Sequence, residues 1–107
     1  MNFAERLQQL PPVSHLKALE LLDPQGQVVA TIEHKPGQIG SLTVYAALAA
    51  QHGGAITPEA ARLGLDWYAE HTTDAKAHPG KHPNIDRLLS WSTGQASYSV
   101  RLVSAQA

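Results

Sequence analysis

The chain has 107 residues, 43% of them hydrophobic, and its eight Lys and Arg against nine Asp and Glu leave a formal net charge of -1; that length has room for one domain, residues 1–107, around a modest core. Cysteine is absent, which excludes disulfides, thiol nucleophiles and cysteine metal sites and leaves His, Asp and Glu as metal ligands. The basic residues are scattered and form no stripe that could track a phosphate backbone, so nucleic-acid binding is not expected.

Asn2 is placed to cap a short helix over residues 3–10, in which Phe3, Leu7 and Leu10 fall at helical spacing before Pro11-Pro12 stops it. In HLKALELLDPQGQVVATIEH, two alternating runs, residues 16–22 and 28–33, flank Asp23-Pro24-Gln25-Gly26. Those four residues suit a type I turn, and the stretch predicts a β-hairpin. KPGQIGS breaks the second strand, and Ser41 is placed to cap an Ala-rich apolar helix over residues 42–52, closed by Gly53-Gly54. Thr57-Pro58-Glu59 reads as another helix start: a capping hydroxyl, Pro at the first helical position and an acid in the first turn. That helix is expected to run through residue 77, until HPGKHP interrupts it. A further helix over residues 83–91 and a strand in SYSVRLVS, with Tyr98, Val100 and Leu102 on one face, complete the order α-β-β-α-α-α-β. The expected fold class is α+β: a three-stranded antiparallel sheet, made of the hairpin plus the C-terminal strand, packed by about three main helices.

HTTDAKAHPGKHPNID, residues 71–86, holds three of the six histidines and two of the four aspartates. If the helix from Pro58 continues that far, His71, Asp74 and His78 fall within about 60° of one another, beside Trp67 and Ala60 and away from the charged side. A carboxylate turned inward needs a partner. One reading is a divalent metal ion held by His71, Asp74, His78 and His82, or a metal-free His–Asp pair whose carboxylate fixes the imidazole tautomer. The other is helix-end chemistry, with His71 and Asp74 closing a helix, His78 and His82 exposed before their prolines, and Asp86 in the first turn of the next helix. No HExxH or other established metal spacing is present, and both readings stay open.

In EHKPGQIGSLTVYAALAAQHGG, Gly37 and Gly40 precede the helix start, and Lys35 adds a positive charge. With Ser41 these residues make an anion-contact site, or an ordinary strand-to-helix connection. Over residues 28–54 this Pro-Gly turn and apolar helix resemble the start of an ACT-type amino-acid-binding domain, which implies that Pro36, Gly37 and Gly40 would border an effector amino acid. The likeness stops at Thr57, which opens a helix where an ACT domain needs a strand, and it is read as local convergence. Nearly the whole chain, through LPPVSHLKALELLDPQG, KPGQIGSLTVY, LDWYAEHTTDAKAHPGKHPNIDRLL and above all AHPGKHPNIDRLL, resembles a family of small uncharacterised bacterial proteins, a domain of unknown function. That resemblance implies a bacterial, cytosolic origin and brings no activity with it.

The expected function is a non-catalytic small-ligand or metal-binding module using the His/Asp cluster. The alternative is a homo-oligomeric interaction or regulatory protein with no small-molecule site, assembled as a homodimer through open sheet edges or through apolar residues such as Trp91 and Tyr98. No catalytic residue is assigned, because the chain has no Cys nucleophile, G-x-S-x-G elbow or P-loop. The first residues, MNFAERL, lack a signal-peptide pattern, and no run approaches the ~20 apolar residues of a spanning helix. The expected setting is therefore cytoplasmic, with no membrane partner.

Overall fold

The computed structural model describes residues 1–105. In chain order the elements are α1 (Phe3–Gln8), β1 (Leu16–Leu22), β2 (Val28–Glu33), α2 (Ile39–Gln51), β3 (Ala55–Ile56), α3 (Pro58–Tyr68), α4 (Glu70–Ala77), α5 (Pro83–Ser92) and β4 (Tyr98–Ser104). The class is α+β as expected, but among the described residues there are four strands and five helices rather than three and three.

The hairpin forms where its turn chemistry places it. Gly26 N–H donates to Asp23 C=O at 2.9 Å, and the Asp23 carboxylate accepts from the amides of Gln25 and Gln27 at 2.9 Å each. β4 returns antiparallel beside β1 and also pairs with β3, so the sheet order is β2-β1-β4-β3. The last strand is therefore central. The added strand β3 is two residues long, too short to carry a period. Tyr98, Val100 and Leu102 fall on one face of β4, as expected, with Val100 opposite buried Leu21. Leu102 registers with fully buried Leu19 yet is 52% exposed, because β3 covers only Tyr98 and Ser99 and β4 runs on past it. In β1 the register shifts between Leu16 and Ala18, and Leu16, Ala18, Leu19 and Leu21 are all buried.

The core lies between one sheet face and the helices. Leu19, Leu21 and Ile32 from the sheet pack with Leu42, Tyr45 and Leu48 of α2, each worth roughly 1.5–3 kcal/mol on burial. α3 lies close to both α2 and α5 because Gly64 has no side chain: a Cβ there would stand 2.7 Å from Leu88 Cδ1 of α5 and 2.8 Å from Leu48 Cδ1 of α2.

Three helix ends depart from expectation. α1 stops at Gln8, and its Asn2 cap is reinforced by Glu5, whose side chain reaches back to the Asn2 amide in a capping box. α2 starts at Ile39, so Ser41 is in its first turn rather than its cap; Gln38 takes the cap position and makes no side-chain capping bond. The helix from Pro58 does not reach residue 77. It is capped by the Thr57 hydroxyl as expected, then breaks at Ala69, whose φ of 52° and ψ of -116° end α3 and start α4. No Pro or Gly marks that break. Trp91 and Tyr98, expected as surface apolar groups, stack on each other with centroids 3.7 Å apart.

Candidate functional site

Two Pro-Gly turns of the same make frame a cleft. In each, Pro sets the second position and Gly supplies the positive φ that a type II turn requires at the third. Gln38 N–H closes on Lys35 C=O at 2.9 Å around Pro36-Gly37, with Gly37 at φ 87°. Lys81 N–H closes on His78 C=O at 3.1 Å around Pro79-Gly80, with Gly80 at φ 94°. The first turn delivers the chain into α2 and the second into α5, and the space between them is a cleft of about 420 Å³.

One wall of the cleft is Gly37, Ile39, Gly40 and Ser41 at the start of α2. Facing it are Lys81, His82, Asn84 and Ile85 at the start of α5, with His71 and Tyr68 from the ends of α4 and α3. Phe3 and Leu7 of α1 add an apolar side. α1 seats on Gly40, where a Cβ would lie 3.2 Å from Phe3 Cζ, and the Glu70 carboxylate holds it by accepting from the Phe3 amide at 2.9 Å. That bond is the main reason the Glu70 carboxyl is held below its usual range. Phe3 stacks on Tyr68 and meets the His71 ring edge-on, both at 5.1 Å between centroids.

The polar groups have fixed directions. Tyr68 is buried and donates its hydroxyl proton to Ser41 Oγ at 2.7 Å; burial pushes its phenol far above the ordinary range, so it stays a donor. Ser41 therefore accepts from below and keeps its own O–H to give. On the other wall Asp74 Oδ2 takes a bond from His82 Nε2 at 2.6 Å and from Lys81 Nζ at 3.0 Å. The His82 bond first, then Lys81, holds the Asp74 carboxyl down at about 2. A carboxylate only accepts, so Nε2 carries the proton, and Nδ1 is the ring nitrogen left without a partner. Asn84 is held by its neighbours: its C=O accepts from the Tyr45 hydroxyl at 2.6 Å and its Oδ1 from Arg87 at 2.8 Å. Burial, partly opposed by Arg87, raises the Tyr45 phenol to about 12.

Of the residues singled out from the sequence, the structure brings Gly37, Gly40, Ser41, His71 and His82 into one cleft, with Asp74 behind His82. Lys35 is not among them; it pairs with Glu33 at 3.2 Å on the surface. His78 is exposed, 3.3 Å from Asp74 Oδ1 on the side away from His82. The four residues considered for a divalent metal are thus neighbours without converging on a point. Asp74 meets His78 and His82 through different oxygens, and His71 approaches the His82 ring at 5.8 Å without reaching Asp74. Lys81 already supplies a cation at Asp74, and among the described residues no group of three or more His, Asp or Glu is arranged to hold a metal ion. The helix-end alternative fits in part: Asp86 is in the first turn of α5 and accepts from Gly80 N–H at 2.9 Å.

Phe3, Tyr68 and Lys81 were not picked out from the sequence. Phe3 and Tyr68 read as core-type positions in separate helices, and nothing local in the chain announces that they meet.

Residues 3–102 match DUF2322, described as an uncharacterized protein conserved in bacteria. The chain belongs to this family. The DUF2322 match spans every element that builds the cleft, from Phe3 of α1 to the start of α5. No curated protein and no solved structure matches the chain. No helix among the described residues is long and apolar enough to cross a membrane.

Proposed function

We propose that this DUF2322 member is a non-catalytic binding module that takes a small organic anion into the cleft between α2 and α5. One observation carries the reading: the cleft's polar lining brings the Lys81 ammonium, the Ser41 hydroxyl and the Asn84 amide together beside the His71 and His82 rings, with no Asp or Glu among its lining residues. An anion placed among these groups accepts from several at once, and charge-assisted bonds of this kind are the stronger ones. The unpaired first-turn amides of α2, left uncapped by any side chain, add to the same polarity. Asp74 keeps the His82 ring oriented from behind, as outer carboxylates do for functional histidines. At about 420 Å³ the cleft is at the small end of ligand pockets, which favours a ligand smaller than drug size.

Isothermal titration calorimetry with acetate, benzoate and inorganic phosphate tests this. At least one anion should bind saturably, and Lys81→Ala should weaken it about tenfold, roughly 1.4 kcal/mol. The variant should fold normally, since the Lys81–Asp74 pair is exposed and such pairs contribute little. No binding by any of the three, or binding indifferent to Lys81, would sink the proposal.

The second reading, a homo-oligomer without a small-molecule site, has one observation in its favour. β2 is an outer strand, and Val28 and Val29 on it are 45% and 48% exposed. Light scattering on the purified chain checks it: a monomer across the accessible concentration range removes it.

A further inference from the structure

The cleft is cationic on one side and aromatic on another, and the charge around it is small. All four arginines are engaged elsewhere: Arg6 over the Trp67 ring, Arg62 on Ser92 C=O, Arg87 on Tyr45 and Asn84, and Arg101 on Glu20. The one fixed cation lining the cleft, Lys81, shares its charge with Asp74 at 3.0 Å, and Glu70 stands beside His71. A phosphate dianion is best matched by bidentate arginine, and this cleft offers none. A single negative charge fits the balance better.

The aromatic side is equally specific. Phe3 contacts the Tyr68 and His71 rings, each at 5.1 Å between centroids, and His82 follows at 5.8 Å from His71. Ile39, 41% exposed at the start of α2, leaves apolar surface at the same mouth. Rings in such an array accept another ring offset-stacked or edge-on, which adds to the gain from area alone.

We infer that the ligand is an aromatic monocarboxylate, its carboxylate held at Lys81 and Ser41 and its ring laid against Phe3 and Ile39. This rests on the anion-binding reading and narrows it. The probes are benzoate, acetate, cyclohexanecarboxylate and inorganic phosphate, each titrated calorimetrically into the full chain and into Phe3→Leu. Phe3 is only half-buried and α1 buries no residue, so the variant keeps its fold; a thermal melt checks this. Benzoate should bind at least about tenfold more tightly than acetate and about threefold more tightly than cyclohexanecarboxylate, with phosphate weakest. Phe3→Leu should lower benzoate affinity several-fold and acetate affinity by much less, so that the benzoate-to-acetate ratio falls. Equal affinities for acetate and benzoate, or for benzoate and cyclohexanecarboxylate, overturn the aromatic assignment while the anion reading stands. Phosphate as the tightest ligand overturns it as well. No binding by any probe overturns both.

Discussion

At the scale of single residues the site is organised by what each side chain is prevented from doing. Tyr68 cannot ionise in its buried place, so the Tyr68–Ser41 bond has one polarity and Ser41 is left a donor. Asp74 cannot easily take a proton, because His82 and Lys81 both donate to Oδ2. The second constraint has a pH signature. The Asp74 carboxyl titrates near 3.8 when unperturbed and at about 2 in the fold, so the unfolded chain binds the proton more readily in that window. Its contribution to stability is complete above pH 3.8 and is lost as the pH falls to about 2. Urea unfolding of Asp74→Asn should accordingly show a stability deficit at pH ~6 that shrinks and vanishes as the pH falls through this window. A deficit independent of pH would mean that Asp74 acts through packing and not through charge.

At the scale of elements, the decisive event is the break between α3 and α4. A continuous helix would have placed His71, Asp74 and His78 beside Trp67; the turn at Ala69 redirects α4 so that His71 reaches Phe3 and Asp74 reaches His82. Ala69 is the one non-glycine residue with positive φ among those described, and such a residue costs on the order of 1–3 kcal/mol. Ala69→Gly should relieve more than the roughly 0.5–1 kcal/mol that glycine's added chain entropy costs, raising stability by about 1 kcal/mol in denaturant unfolding. A loss of stability would place the conformation elsewhere. This break also marks where the sequence stops being legible. Asp23-Pro24-Gln25-Gly26 and Thr57-Pro58 announce their elements because each residue's local chemistry demands the conformation found. The Ala69 turn is imposed by tertiary bonds, Glu70 to the Phe3 amide and the Thr72 hydroxyl to Leu65 C=O at 2.5 Å, and Ala-Glu-His-Thr shows no trace of them. Gly40 misled in a related way. Before the helix it reads as a breaker, yet it is inside α2 and gives Phe3 room to approach.

At the scale of the whole molecule, two stretches weighed separately in the sequence, Gly37–Ser41 and His71–His82, come together because α2 and α5 pack on either side of α3. Their residue types were readable; their meeting was not, since nothing local relates positions some forty residues apart. The sheet has the same character. β4 is the only described strand that touches both β1 and β3, so it joins the hairpin to the segment leading into α3. Deleting residues 97–107 should therefore abolish cooperative thermal unfolding in circular dichroism, where loss of an edge strand would only lower the midpoint. A truncated chain that still melts sharply would show that the helices fold without the sheet's closing strand.

Binding of a small organic anion between the two Pro-Gly turns can be read residue by residue from amide chemical-shift mapping of the isotopically labelled chain during titration with benzoate. Saturable shifts should concentrate at Gly37 to Ser41, at His71 and at Lys81 to Ile85, and disappear in Lys81→Ala. Shifts that stay linear in benzoate, or that fall along β2 and β4 instead, would contradict binding there.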